Sequence, residues 1–74
     1  MCLAVPLKVV EINGKEGKGE FEGVSRKIRL DFVPRVTLGD YVLVHAGFAI
    51  EIIGERQAEE ERQAFREVMD AGHA

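Results

Sequence analysis

In the first fifty-four residues, every run of β-forming side chains is soon cut by a turn residue: Asn13-Gly14, Gly23, Pro34, Gly39-Asp40, Gly47 and finally Gly54. Punctuation this dense leaves no room for a long helix and favours several short strands. Leu3 to Ile12 is rich in Val, Leu and Ile. Pro6 lies early in it, which suits an edge strand or a bulge. Asn13-Gly14 predicts a two-residue hairpin loop, because both positions tolerate positive φ. Gly17 to Glu22 reads as a second strand, and the Gly14, Gly17 and Gly19 cluster as turn and hairpin. Val24 to Val33 reads as a third, with Ile28, Leu30 and Phe32 on a buried face alternating with Lys27, Arg29 and Asp31. Pro34 to Asp40 connects it to Tyr41–Ala46, and Phe48–Ile53 completes a fifth strand. The predicted fold class is mainly β: a small OB-like or SH3-like five-stranded barrel followed by one C-terminal α-helix. Closure removes the edges that so small a sheet would otherwise expose.

The composition changes after Gly54. Residues 55–71, ERQAEEERQAFREVMDA, are almost all good helix formers. Acids lead the segment and Gly72 stands where a C-terminal cap belongs. Ala58, Phe65, Val68 and Met69 form a thin apolar stripe with Arg62 in line. This predicts a helix that packs its second half and leaves its first turns free. Its charges read as a solvated face laced by pairs within the helix, Glu59 with Arg62 or Gln63 and Arg62 with Arg66 and Glu55. The barrel is expected over residues 1–54 and the helix over 55–72, in one domain.

Seventy-four residues bound the chemistry. A domain this small buries only about 60% of the surface of its unfolded chain, so a deep active site is not expected and neither is enzymatic activity. Residues 1–50 carry seven bases and six acids, and residues 51–74 three bases and seven acids. Neither part is a strong electrostatic match for nucleic acid. Arg26, Lys27 and Arg29 form a mild basic strip without the interleaved aromatics of a single-strand platform. No apolar stretch approaches the roughly 20 residues of a membrane span, and no signal-peptide pattern opens the chain, so a cytoplasmic protein is expected. The single cysteine excludes an internal disulfide and a multi-cysteine zinc site. No phosphate-binding glycine loop is present.

Two residues are left as candidates for chemistry. Cys2 follows the initiator methionine directly. If that methionine is trimmed, the α-ammonium beside the thiol favours the thiolate, the nucleophilic and metal-binding form. Amine and thiolate together can close a chelate ring on a soft or borderline metal. The alternative for a lone cysteine is a small buried hydrophobe. His45, in YVLVHAGFAI, can ligate a metal or move a proton. Its alternative is a hydrogen-bonded histidine at a strand end.

The same two stretches carry a family resemblance. MCLAVP resembles the M-C-[LIV]-[AG]-[IVL]-P opening of the HypC/HupF/HybG family of [NiFe]-hydrogenase maturation chaperones. GDYVLVHAGFAI, residues 39–50, resembles that family's second signature, G-[DQ]-[YW]-V-L-V-H-x-G-F-A. The resemblance covers nearly the whole chain. It implies a non-enzymatic, cytoplasmic chaperone that binds the iron–sulfur scaffold protein HypD. From HypD it would carry an iron bearing cyanide and carbon monoxide to the precursor of the hydrogenase large subunit. By motif match, Cys2 and His45 are implied to hold the iron, with Cys2, Leu3, Ala4, Val5, Pro6, Gly47 and Phe48 meeting partners. Pro6 would set the direction of the first strand, whose bare edge is a place for a partner's strand to add. The other reading is a metal-free module that only holds the large-subunit precursor open. Nucleic-acid binding by an OB-like barrel is disfavoured by charge and by the scarcity of exposed aromatics.

Overall fold

The computed structural model describes the backbone of residues 4–72 and the side chains of residues 4–67. Five strands, β1 (Val5–Asn13), β2 (Glu16–Phe21), β3 (Val24–Arg29), β4 (Tyr41–His45) and β5 (Phe48–Ile53), are followed by helix α1 (Glu55–Gly72). The strands close in the order β1-β2-β3-β5-β4. This is the mainly β barrel with one C-terminal helix that the sequence predicts. All ladders are antiparallel except β3 with β5, which is parallel and rests on one pair, Arg29 with Phe48.

β1 serves two neighbours in succession. Val5 to Lys8 pair with β4, and Lys8 to Asn13 pair with β2, across a bulge between Val9 and Glu11. Pro6 therefore lies opposite Leu43 on one side and has no strand on the other. It is locally an edge residue inside a closed barrel, where its missing N–H costs no ladder bond.

The barrel interior is filled by Leu7, Val9, Phe21, Ile28, Leu30, Val33, Val42, Val44 and Ala49. Each fully buried Val, Leu or Ile there contributes roughly 1.5–3 kcal/mol. β2 contributes two glycines to this interior. A Cβ at Gly19 would sit 2.8 Å from the Cβ of Leu7, and one at Gly17 would meet the Glu11 carbonyl oxygen. These glycines belong to the strand's interior face and are not turn residues, a correction to the sequence reading. The space a Cβ would need is taken at Gly17 by the β1 backbone at Glu11 and at Gly19 by the Leu7 side chain.

Three further expectations are corrected. The β1–β2 loop is Gly14-Lys15, with Asn13 already paired to Glu16, and only Gly14 has positive φ (68°). Glycine at the first central position is the type II′ pattern rather than the type I′ pattern expected for Asn-Gly. The third strand ends at Arg29, not Val33, because the chain turns there, with Val33 N–H donating to the Leu30 carbonyl at 3.1 Å. That turn buries Val33 and leaves Phe32 65% exposed.

The third correction concerns α1, which is held from its first turn. Ala58 is completely buried and its N–H donates to the Gly54 carbonyl at 2.8 Å. Arg62 and Arg66 reach across to β2 and its following turn instead of pairing along the helix: Arg62 meets Glu20 and Arg66 Nε donates to Glu22 Oε1 at 2.6 Å. The side chains of Val68 and Met69 lie outside the described residues. Among those described, no helix is long and apolar enough to cross a membrane.

Candidate functional site

His45 is the last residue of β4 and pairs with Phe48, the first of β5. Between them Ala46 (φ 53°) and Gly47 (φ 85°) both occupy the left-handed region, the type I′ geometry that matches strand twist. Sequence reasoning saw the break at Gly47 but not the strain at Ala46. Left-handed conformation costs a β-carbon-bearing residue roughly 1–2 kcal/mol. Ala46→Gly is therefore expected to stabilise the protein by about 0.5–1 kcal/mol after the extra entropy of an unfolded glycine is subtracted. The midpoint of chemical denaturation checks this, and a lower midpoint would contradict it.

The turn is pinned to β3 by one bond, Arg29 N–H to the Gly47 carbonyl at 2.8 Å. Arg29 also donates through Nε and Nη2 to the two carboxylate oxygens of Asp31 at 2.9 and 3.0 Å. These hydrogen bonds hold the Asp31 carboxyl below the usual aspartate range and raise Arg29. Beside this seam lies a groove of about 970 Å³. Leu7, Phe21, Ile28, Val44 and Phe65 give it an apolar floor, and Val24 to Lys27 form one wall. Val5, Ala46 and Gly47 form the other, and Glu22 and Arg66 close the rim. A second apolar surface lies on β5, where Phe48, Ile50 and Ile52 are all exposed and the Phe32 ring lies 5.6 Å from that of Phe48.

A family model described as the HupF/HypC family matches residues 1–65. The chain belongs to the HupF/HypC family. It is 46% identical over 66 residues to the hydrogenase maturation factor HypC of Synechocystis sp., an alignment spanning 81% of this chain and 87% of the relative. It is 38% identical over 69 residues to that of Cupriavidus necator (92% and 77%), and 35% identical over 78 residues to that of Escherichia coli K12 (95% and 84%).

Two of the predicted HupF/HypC site residues, Cys2 and Leu3, lie outside the described residues. The others are brought to one end of the barrel. Ala4 is half-buried just ahead of β1, Val5 lines the groove and pairs with Val44, and Pro6 is buried. Gly47 lines the same groove, and His45 is half-buried at the strand end one residue beyond Val44. The two signature stretches, far apart in sequence, thus run side by side through the β1–β4 ladder. Among the described residues, no group of three His, Cys, Asp or Glu side chains is placed to hold a metal ion. The sequence reading missed the groove. The signal for it was the loss of apolar alternation in Val24-Ser25-Arg26-Lys27, where four successive residues are exposed.

Proposed function

We propose that this protein is a hydrogenase maturation factor that works as a carrier: it takes an iron bearing cyanide and carbon monoxide from a HypD-type scaffold to the [NiFe]-hydrogenase large-subunit precursor. The observation that carries this reading is the family match over residues 1–65, which includes both signature stretches. The β1–β4 pairing, which brings those stretches together, supports it. Cyanide and carbon monoxide make iron a soft centre, suited to a thiolate ligand. Cys2 supplies the thiolate and His45 a ring nitrogen. One residue, Leu3, separates Cys2 in sequence from Ala4, and Ala4 is half-buried just ahead of β1. One or two ligands from the carrier, completed by groups of the partner, let the cargo leave as readily as it arrives.

The test is infrared spectroscopy of the protein purified anaerobically with HypD from maturation-competent cells, wild type beside Cys2→Ala. Cyanide and carbon monoxide stretching bands are expected in the wild type and are expected to be lost in the variant, with the fold unchanged. Identical bands in both would remove Cys2 as an iron ligand. The metal-free reading would then stand, a module that holds the precursor open. The apolar groove beside Val5 is the observation that favours it.

A further inference from the structure

The join between β3 and β5 is a single residue pair, and it leaves most of one strand edge bare. Arg29 N–H points across the seam to Gly47, whereas Leu30 N–H points the other way, to the Lys15 carbonyl at 2.7 Å. Peptide groups alternate along a strand, so Ser25 and Lys27 present their N–H and C=O groups to the seam side, as Arg29 does. Among the described residues, no strand pairs with them there. The groove runs along this same edge.

The side chains of β3 say what would fit. Val24 and Arg26 lie opposite Phe21 and Gly19 on β2, on the face that Ile28 turns to the interior, yet both are exposed, Val24 by 55%. On the outer face Lys27 lies directly opposite Lys18. Like charges in that position repel, and a carboxylate nearby relieves them. Lys18 and Arg29 have acidic partners in Glu11, Glu16 and Asp31, whereas Arg26 and Lys27 make no ion pair among the described residues. A second copy of this edge would set Arg26 and Lys27 against their own kind, the usual protection of an edge from self-pairing. The bare stretch of β1, which the sequence suggested for strand addition, is shorter and contains Pro6, which has no N–H to offer.

We propose that the outer edge of β3 is a strand-addition site for an extended acidic segment of a partner protein. That segment bonds its main chain to Ser25 and Lys27, sets its carboxylates on the outer face against Lys27, and turns its apolar side chains to the other face, into the groove beside Val24. Main-chain bonds supply the hold and the alternating side chains the selectivity. The proposal goes beyond the cargo reading and needs no metal, so its test is independent of the infrared result.

The test is a titration of the ¹⁵N-labelled protein with a capped hexapeptide of alternating valine and glutamate. The lysine counterpart of that peptide and a short oligothymidylate serve as comparisons. The acidic peptide is expected to shift the Ser25 and Lys27 amides and slow their hydrogen exchange at least tenfold, and the lysine peptide to do neither. Ser25→Pro removes one outward donor and is expected to weaken binding. The Arg26→Glu/Lys27→Glu variant, which leaves every β2–β3 backbone bond in place, is expected to exchange the preference for the lysine peptide. No change at those two amides, or equal response to both peptides, overturns the proposal, as does binding of the oligothymidylate alone. It is overturned too if the two amides are protected in the free protein, whether that protection vanishes on removal of residues 1–3 or on dilution, since the chain's own N-terminus or a second copy would then be the occupant.

Discussion

Arg62→Ala is expected to lower the stability of the protein by about 3 kcal/mol, the usual range for breaking a buried charged contact, and to release α1 from the barrel. Arg62 is 8% exposed and its guanidinium lies between two rings, with its carbon 5.3 Å from the centroid of Phe21 and 5.2 Å from that of Tyr41. Its Nη2 donates to the Glu20 carbonyl at 2.6 Å and lies 3.7 Å from Glu20 Oε1. Each ring contributes about 0.5–2 kcal/mol as a cation–π contact, and a charged donor on a carbonyl about 1.5–3 kcal/mol. Truncation forfeits both and opens a void against the Phe21 ring, which also packs edge-on against Phe65 at 5.6 Å. Against a total stability of only about 5–15 kcal/mol the effect is large. It is read as a lower denaturation midpoint and earlier proteolysis within residues 55–67. Among the described residues Arg62 Nε has no hydrogen-bond partner, so Arg62→Met, which keeps much of the apolar volume and drops that orphan, is expected to recover part of the loss. A change below about 0.5 kcal/mol for Arg62→Ala, the ordinary range of surface substitutions, would show that the clamp holds nothing.

Gly19→Ala is the second large effect, and here two forces oppose each other. Replacing glycine by alanine inside a strand ordinarily gains about 0.5–1 kcal/mol from the unfolded state. The new methyl, however, would stand 2.8 Å from Leu7 Cβ, 2.9 Å from Leu7 Cδ1 and 3.3 Å from Ile28 Cδ1. Leu7 Cδ1 can turn away, but Leu7 Cβ moves only with its backbone, which is paired to Val42. Overpacking of this kind costs about 1–3 kcal/mol, so the clash wins and a net loss of about 2 kcal/mol is expected. A thermal midpoint above that of the wild type would show that β1 yields at this point and would refute the close-approach account.

The readings that succeeded rest on local chemistry. Turn residues at Gly23, Gly39 and Gly47 cut the chain where it does turn, and the run of helix formers after Gly54 folds as α1. Those that failed needed information from elsewhere in the chain. Nothing near Phe32 says that the strand has already ended at Arg29; the turn that buries Val33 does. Arg62, in line with the apolar stripe, reads as paired along the helix because its partners, Glu20, Phe21 and Tyr41, come from two strands distant in sequence. The candidate site was legible through its two signature stretches. The groove beside them was not, because it is made by a missing ladder, and a missing ladder leaves no residue of its own to read.

The double service of β1 also bears on how the molecule assembles. Two-residue turns join β1 to β2, β2 to β3 and β4 to β5, so these hairpins form within microseconds of collapse. The pairing of Val5 with Val44 and of Lys8 with Tyr41 has to wait for the whole intervening chain to be gathered in, the kind of non-local contact that sets a slow folding rate. The strand synthesised first is thus the last to be secured along its full length. The end of the protein that bears Cys2 acquires its fixed base only when everything behind it has folded.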